Sequence, residues 1–217
     1  MVYSGSVEEY LKTLGKLGAK DSPVALTALA RQLQVSPVAA HEMVKKLADE
    51  GLVTYQPYKG VQLTPAGVEV AGAVLQRHRL WERFLHDVLG MPWDQVHHEA
   101  GRLEHETSPE VARRLSAFLD NPAYCPHGYP IEEPIGERQP STLSVTELNL
   151  GERAIVVSVP EDQMDLLIYL GELGLRPQAE VEPVEVAPFD GPITLRIGDR
   201  RQAISRQLAT QIMVQRV

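Results

Sequence analysis

The sequence predicts an α+β chain, helical up to about residue 119 and strand-rich from about residue 146. Three observations carry this. Apolar residues recur at helical spacing as far as Leu119, and the pairs Ser36-Pro37, Thr64-Pro65 and Ser108-Pro109 are cap-plus-proline helix starts. Prolines at 122, 126, 130, 134 and 140 then interrupt a stretch with little periodicity. From Thr146 onward, short β-branched runs alternate with Gly and Pro turns.

The elements follow in order. Ser6 to Lys16 is a first helix, with Val7, Tyr10, Leu11 and Leu14 as its apolar stripe and Glu8, Glu9 and Lys12 on other faces. Ala25 to Leu33 is a short second helix. Ser36 caps a third that runs to Glu50 and stops at Gly51. LVTYQPYKGVQLT reads as two strands around a Gln56-to-Gly60 turn, so residues 1–64 have a winged helix-turn-helix pattern whose third helix enters the DNA major groove. Thr64-Pro65 opens a long helix ended by Gly90 and Pro92. A helix from Trp93 to about Glu106 and another from Ser108 to Leu119 complete a helical domain, which with the proline-rich linker spans residues 65–143. Residues 144–217 hold RAIVVSV, the helix QMDLLIYLGELG, AEVEPVEVA, ITLRIG, QAISR and QIMVQRV, a pattern that suggests a small β-barrel.

At 217 residues the chain can bury one core or several. No apolar run approaches the length of a membrane span, and the N-terminus lacks a signal-peptide pattern, so a soluble cytoplasmic protein with no membrane partner is expected. The single cysteine, Cys125, excludes an intrachain disulfide but leaves one soft metal ligand. A net charge of −8 argues against DNA binding through bulk charge. A local basic face, or one assisted by cation uptake, remains compatible with it.

The stretch RHRLWERFLHDVLGMPWDQVHHEAGRLEHE sets five histidines among several glutamates. His78 and Glu82 are four apart, and His97, Gly101, Glu104 and His105 fall at offsets of four, seven and eight, so each set follows one helical face. Imidazole with carboxylate suits manganese, ferrous iron, cobalt or zinc. Because one helix face does not enclose a cation, further donors are sought in Glu9, His98, Cys125 and His127. HHEAGRLEH lacks the HExxH spacing of zinc peptidases, and no nucleophile or positioned base argues for an enzyme. In the third helix, Val38, Met43, Val44 and Leu47 have core spacing. That leaves Ser36, Pro37, Ala39, Ala40 and His41 for base or phosphate contacts, with Lys45, Lys46 and Lys59 for phosphates.

SVEEYLKTL, VSPVAAHEMVKKLADEGLV, RHRLWERFL, VHHEAGRLEHETSPEVARRL and CPHGYPI, in this order, resemble the diphtheria toxin repressor family of metal-dependent transcriptional regulators, which includes the manganese transport regulators. The last third resembles the SH3-like domain shared with FeoA proteins. The resemblance implies an ancillary metal site at His78, Glu82 and His97, with Gln163 as a donor from the SH3-like domain and Glu161 and Asp162 beside it. It implies a primary site at Glu104 and His105, completed by Glu9 from the first helix. Cys125 and His127 match donors of streptococcal-type members, used there together with Glu82 and an acid from the third domain. Two positions depart: Gly101 stands where relatives place a Cys or Glu ligand, and Lys12 replaces a carboxylate of the binuclear manganese type. Cys125, His98 or water are the candidates to replace the side chain missing at Gly101.

The expectation is a homodimeric regulator that binds a palindromic double-stranded DNA operator when activated by Mn2+ or Fe2+, with manganese slightly favoured and other divalent transition metals accepted in vitro. Its expected role is repression of manganese or iron uptake genes. The competing reading is a winged-helix regulator that senses another ligand and uses its histidines structurally.

Overall fold

A computed structural model describes residues 3–132 and 141–217. The chain divides into two compact units. The first comprises the chain through Trp81, Gly101–Asn121 and the chain from Ile131, and the second comprises Glu82–Ala100, Pro122–Pro130 and the C-terminal region through Val217.

In the first unit, α1 (Gly5–Lys16), α2 (Leu26–Gln32) and α3 (Pro37–Asp49) precede the hairpin β1 (Val53–Gln56) and β2 (Gly60–Leu63), which pairs Val53 with Leu63 and Gln56 with Gly60. Side chains cap the helices where the sequence places hydroxyls: Ser4 accepts from the Val7 amide, Ser36 from Ala39 and Ser108 from Val111. Thr64 accepts from the Gly67 amide and donates to the Gly51 carbonyl, tying the start of α4 (Pro65–Asp87) to the end of α3. Leu11, Leu14, Leu29, Val44, Leu47 and Leu52 form one core, closed by Val61 of the wing and Ala71 and Leu75 of α4. Burying each such leucine contributes about 1.5–3 kcal/mol.

The face of α3 differs from the expected one. Ala40, Val44 and Leu47, at offsets of four and seven, point into the core, and Ala40 is fully buried. Val38 is 68% exposed. Two residues of helix turn the chain by about 200°, so Val38 and Ala40 cannot share a face, and Ala40 is the one that packs.

The helix expected from Trp93 to Glu106 is shorter. α5 (Val96–Leu103) gives way to a 3-10 turn, Glu104–Glu106, before α6 (Pro109–Phe118). Tighter winding there redirects Glu104 inward, where it is fully buried.

The second unit is built on a six-stranded antiparallel sheet in the order β3-β8-β4-β5-β6-β7. Its strands are β3 (Leu143–Ser144), β4 (Ala154–Ser158), β5 (Glu180–Val186), β6 (Ile193–Ile197), β7 (Arg200–Ile204) and β8 (Met213–Arg216). α7 (Met164–Leu173), stopped by left-handed Gly174, and the short α8 (Arg206–Ala209) lie between strands. Ala154 and Val156 of β4 alternate into a core with Leu167, Leu170, Leu195, Val214 and Trp93.

The stretch read as a proline-rich linker is in part a compact turn. Tyr124 bridges Pro130, the Cys125 amide donates to the Tyr129 carbonyl at 2.8 Å, and Cys125, His127 and Ile131 are buried. Pro134 and Pro140 lie outside the described residues. Gly128, at φ +90°, is required here: a Cβ would stand 1.8 Å from the Val157 carbonyl oxygen. The close approach lets the Val159 amide donate to the His127 carbonyl, which fixes His127 beside the segment that carries Glu161.

Candidate metal centre and nucleic-acid interface

Within the second unit, Glu82, His97, His127 and Glu161 each direct one donor atom to a common point, all four within 4.8 Å of one another. Glu82 comes from α4, His97 from α5, His127 from the proline-flanked turn and Glu161 from the chain beyond β4. Glu82 Oε1 lies 2.8 Å from His97 Nδ1 and 3.3 Å from His127 Nδ1, while Glu161 Oε2 is 3.7 Å from His127 Nδ1. Asp162 Oδ1 stands at the edge, 3.6 Å from His97 Nε2. Glu82 and His127 are wholly buried.

His127 is oriented from behind. Its Nε2 is 2.8 Å from the Trp93 carbonyl oxygen, and since a carbonyl only accepts, Nε2 carries the proton. In its neutral form the ring therefore presents the lone pair of Nδ1 to the cluster, the arrangement typical of a ligating histidine. Nδ1 is buried and forms no hydrogen bond, although Glu82 is near. Burial opposes protonation of this ring, but the charges of Glu82 and Glu161 outweigh it and raise the pKa above the usual imidazole value. A buried nitrogen aimed at two carboxylates fits a divalent cation.

The first unit holds a second group, Glu9, Glu104 and His105. His105 Nε2 is 3.4 Å from Glu9 Oε2 and 3.3 Å from Glu104 Oε1. Those same two oxygens are contacted by Lys12 Nζ, at 2.7 and 2.5 Å. A divalent ion about 4 Å from that ammonium would meet a repulsion of about 8 kcal/mol at an effective dielectric of about 20. As arranged, this group does not fit a metal ion. Burial works against ionisation of Glu9, but bonding to His105 and the Lys12 charge prevail and hold its pKa at about 2. Burial likewise opposes the Glu104 carboxylate, and His78 and Lys12 overcome it to lower its pKa. For His105, the bond to Glu9 is the largest influence and raises the pKa.

Several expected placements change. His78 is not in the group with Glu82 and His97; its Nδ1 is 2.5 Å from Glu104 Oε2. Neither Cys125 nor His98 is in either group. Cys125 instead lines a cavity of about 580 Å³ with Arg83, Trp93 and Arg176, and His98 is exposed. Gln163 is exposed at the N-cap of α7. Glu8 was not among the expected site residues. It is buried between Arg77 Nη2, 2.7 Å away, and His105 Nδ1, 2.9 Å away. Its signal was present, since Glu8, Leu11 and Lys12 share one helical face.

On the outer side of α3, Pro37, Ala39 and Lys45 are exposed, and His41 packs edge-on to Tyr55 at 5.5 Å between ring centroids. Ser36 is exposed but its hydroxyl is engaged as the helix cap. Ala40, expected to contact bases, is buried and unavailable. Lys59 and Tyr58, the latter fully exposed, occupy the tip of the wing.

A winged helix, a helical segment with convergent imidazoles and carboxylates, and a small antiparallel sheet together define a metal-dependent DNA-binding regulator. Three family models match in tandem: the iron-dependent repressor N-terminal DNA-binding domain over residues 3–61, its metal-binding and dimerisation domain over 64–133, and the FeoA domain over 143–216. The chain belongs to the iron-dependent repressor family, which includes the diphtheria toxin repressor. It is 31% identical to the iron-dependent repressor IdeR of Mycobacterium leprae, covering 98% of this chain and 97% of that protein. It is 30% identical to the diphtheria toxin repressor of Corynebacterium diphtheriae over 97% and 96% of the two chains. A manganese-dependent transcriptional repressor solved with manganese superposes with a TM-score of 0.88 at 30% identity, covering 97% of this chain and all of the other. The repressor ScaR with bound Zn2+ superposes at 0.83 with 31% identity, covering 97% and 99%.

Proposed function

We propose that this protein is a homodimeric transcriptional repressor of manganese or iron uptake genes, acting in the cytoplasm without enzymatic activity. Its corepressor is a divalent cation held by Glu82, His97, His127 and Glu161. The observation that carries this reading is the buried Nδ1 of His127, locked by the Trp93 carbonyl to face two carboxylates. A bound cation would supply positive charge that neutralises Glu82 and Glu161 and draws four separate segments together. The donor set of two imidazoles and two carboxylates contains no thiolate, which favours manganese slightly over iron.

Residues 1–64 serve as the DNA-binding domain, residues 65–143 as the dimerisation domain and residues 144–217 as the SH3-like domain. α3 enters the major groove with Pro37, Ala39 and His41 towards base edges and Lys45 towards phosphate, while Lys59 on the wing meets the backbone. α6 leaves Val111 and Phe118 exposed, an apolar surface suited to a second copy. Two winged helices related by a dyad read a palindromic operator. Fluorescence anisotropy with a palindromic operator tests this: tight binding in Mn2+, loss in chelator, and loss in Glu82→Gln with Mn2+ are expected. Equal affinity in chelator and in Mn2+ favours a winged-helix regulator of another ligand and overturns the reading.

A further inference from the structure

We propose that Lys12 is the resident cation of the Glu9, Glu104 and His105 group. Its ammonium takes the position of a metal ion, and metal uptake by this chain is thereby confined to Glu82, His97, His127 and Glu161. The inference goes beyond the proposed function, and its tests separate the two.

The two oxygens that converge with His105 Nε2 are Glu9 Oε2 and Glu104 Oε1, and Lys12 Nζ contacts both. Lys12 is 7% exposed and Glu104 is fully buried, so this is an interior ion pair rather than a surface one. The outward-facing atoms of the group are also engaged. Glu104 Oε2 meets His78 Nδ1 at 2.5 Å, and His105 Nδ1 meets Glu8 Oε2 at 2.9 Å. Glu8 Oε1 in turn accepts from Arg77 at 2.7 Å.

Lys12 lies between Glu9 and Glu104, and Arg77 pairs with Glu8, so each of the three carboxylates already contacts a basic side chain. A divalent cation placed among the same oxygens would have to displace an ammonium that is covalently part of α1 and is itself buried. Gly101 adds to the mismatch. A Cβ there would meet nothing within 4 Å, so the open space one turn before His105 receives no donor from this position.

The consequence is mechanical. Lys12 on α1 reaches Glu104, 92 positions along the chain, and Glu8 on the same helix reaches Arg77 on α4. α1 is therefore held to α4 and to the 3-10 turn by side chains alone. A chain with a carboxylate at position 12 would depend on a metal to make the same link; here the link persists in chelator. Metal control must then act through the second unit's cluster.

The test is a metal count on the full-length protein. Protein is stripped with chelator, loaded with excess Mn2+, desalted and measured by plasma mass spectrometry alongside isothermal titration. The wild type is expected to retain one ion per subunit, and Glu104→Gln to retain the same number as wild type. Lys12→Glu is expected to gain one ion over wild type. Loss of an ion in Glu104→Gln overturns the proposal, as does the absence of a gain in folded Lys12→Glu. Should Lys12→Glu not fold, Glu104→Gln decides alone. Glu82→Gln, measured in parallel, is expected to lose the wild-type ion; retention there overturns the assignment of the second-unit cluster and leaves the Lys12 result standing.

Discussion

Replacing Glu82 by glutamine keeps the shape of a fully buried side chain and removes the carboxylate that both His97 and His127 approach, at 2.8 and 3.3 Å. A ligand that binds only the folded state at one hundred times its dissociation constant stabilises by about 2.7 kcal/mol. In a chain of this size each kcal/mol moves the melting temperature by about 2–4 °C, so Mn2+ should raise that of the wild type by about 5–11 °C. Loss of a partner that merely supports a ligand weakens metal binding by about 10–100-fold, and loss of a direct anionic ligand should reach at least the upper end. At the same Mn2+ concentration the variant is then near its own dissociation constant, where the stabilisation falls to about 0.4 kcal/mol, a shift of about 1–2 °C. Scanning fluorimetry of both proteins, each with chelator and with Mn2+, reads the two shifts directly. The variant's own metal-free melting temperature is the reference, which separates ligand loss from any change in folding. A full wild-type shift in Glu82→Gln refutes the assignment of Glu82 to the metal centre.

Three further outcomes are expected. Gly67→Ala places a Cβ 2.0 Å from the Leu52 carbonyl oxygen, so α4 must shift and denaturant unfolding should show a loss of about 1–3 kcal/mol; an unchanged midpoint refutes the contact. Lys45→Ala, on the exposed face of α3, should lower the slope of log affinity against log salt by about 1.8, one phosphate contact from each subunit of the dimer, without changing operator preference, and an unchanged slope removes Lys45 from the phosphate contacts. The Glu9 carboxyl has a folded pKa of about 2 against an ordinary 4.5, a depressed value, so its contribution is present above pH 4.5 and is lost as pH falls from there towards 2. Metal-free protein should lose melting temperature more steeply over that window than Glu9→Gln does, and parallel pH profiles contradict the ion-pair reading.

Much of the fold was legible because its signals are local. The hydroxyl-proline pairs marked the starts of α3, α4 and α6, and the β-branched run RAIVVSV marked a strand. The turn at residues 122–132 was harder to read, since proline content signals irregular backbone and says nothing about whether that backbone is buried. Val38 and Ala40 show periodicity outweighing apolarity in a short helix. Ala40 lies four and seven positions before Val44 and Leu47, whereas Val38 lies six and nine before them on the opposite side, so strict spacing selects alanine even though valine is the more apolar residue. The metal-binding residue types were recognisable from sequence, and the family resemblance already grouped Glu82 with His97, Glu82 with His127 and an acid of the third domain, and Glu9 with Glu104 and His105; the place of His78 was not legible. His78 and Glu82 look paired on one helix, yet they contact different partners, Glu104 in one case and His97 and His127 in the other.

By itself, then, the sequence determined the elements, their order, the family and the pool of imidazole and carboxylate donors. Only the tertiary structure decided that His97 and His127 share Glu82 and Glu161 in one cluster, that Cys125 stands outside it and that Lys12 lies among the carboxylates of the first unit. The reason is range. Helical periodicity and caps are properties of a few adjacent residues, whereas Lys12 and Glu104 are 92 positions apart and meet only when α1 packs beside the 3-10 turn, where one ammonium changes what a set of carboxylates can hold.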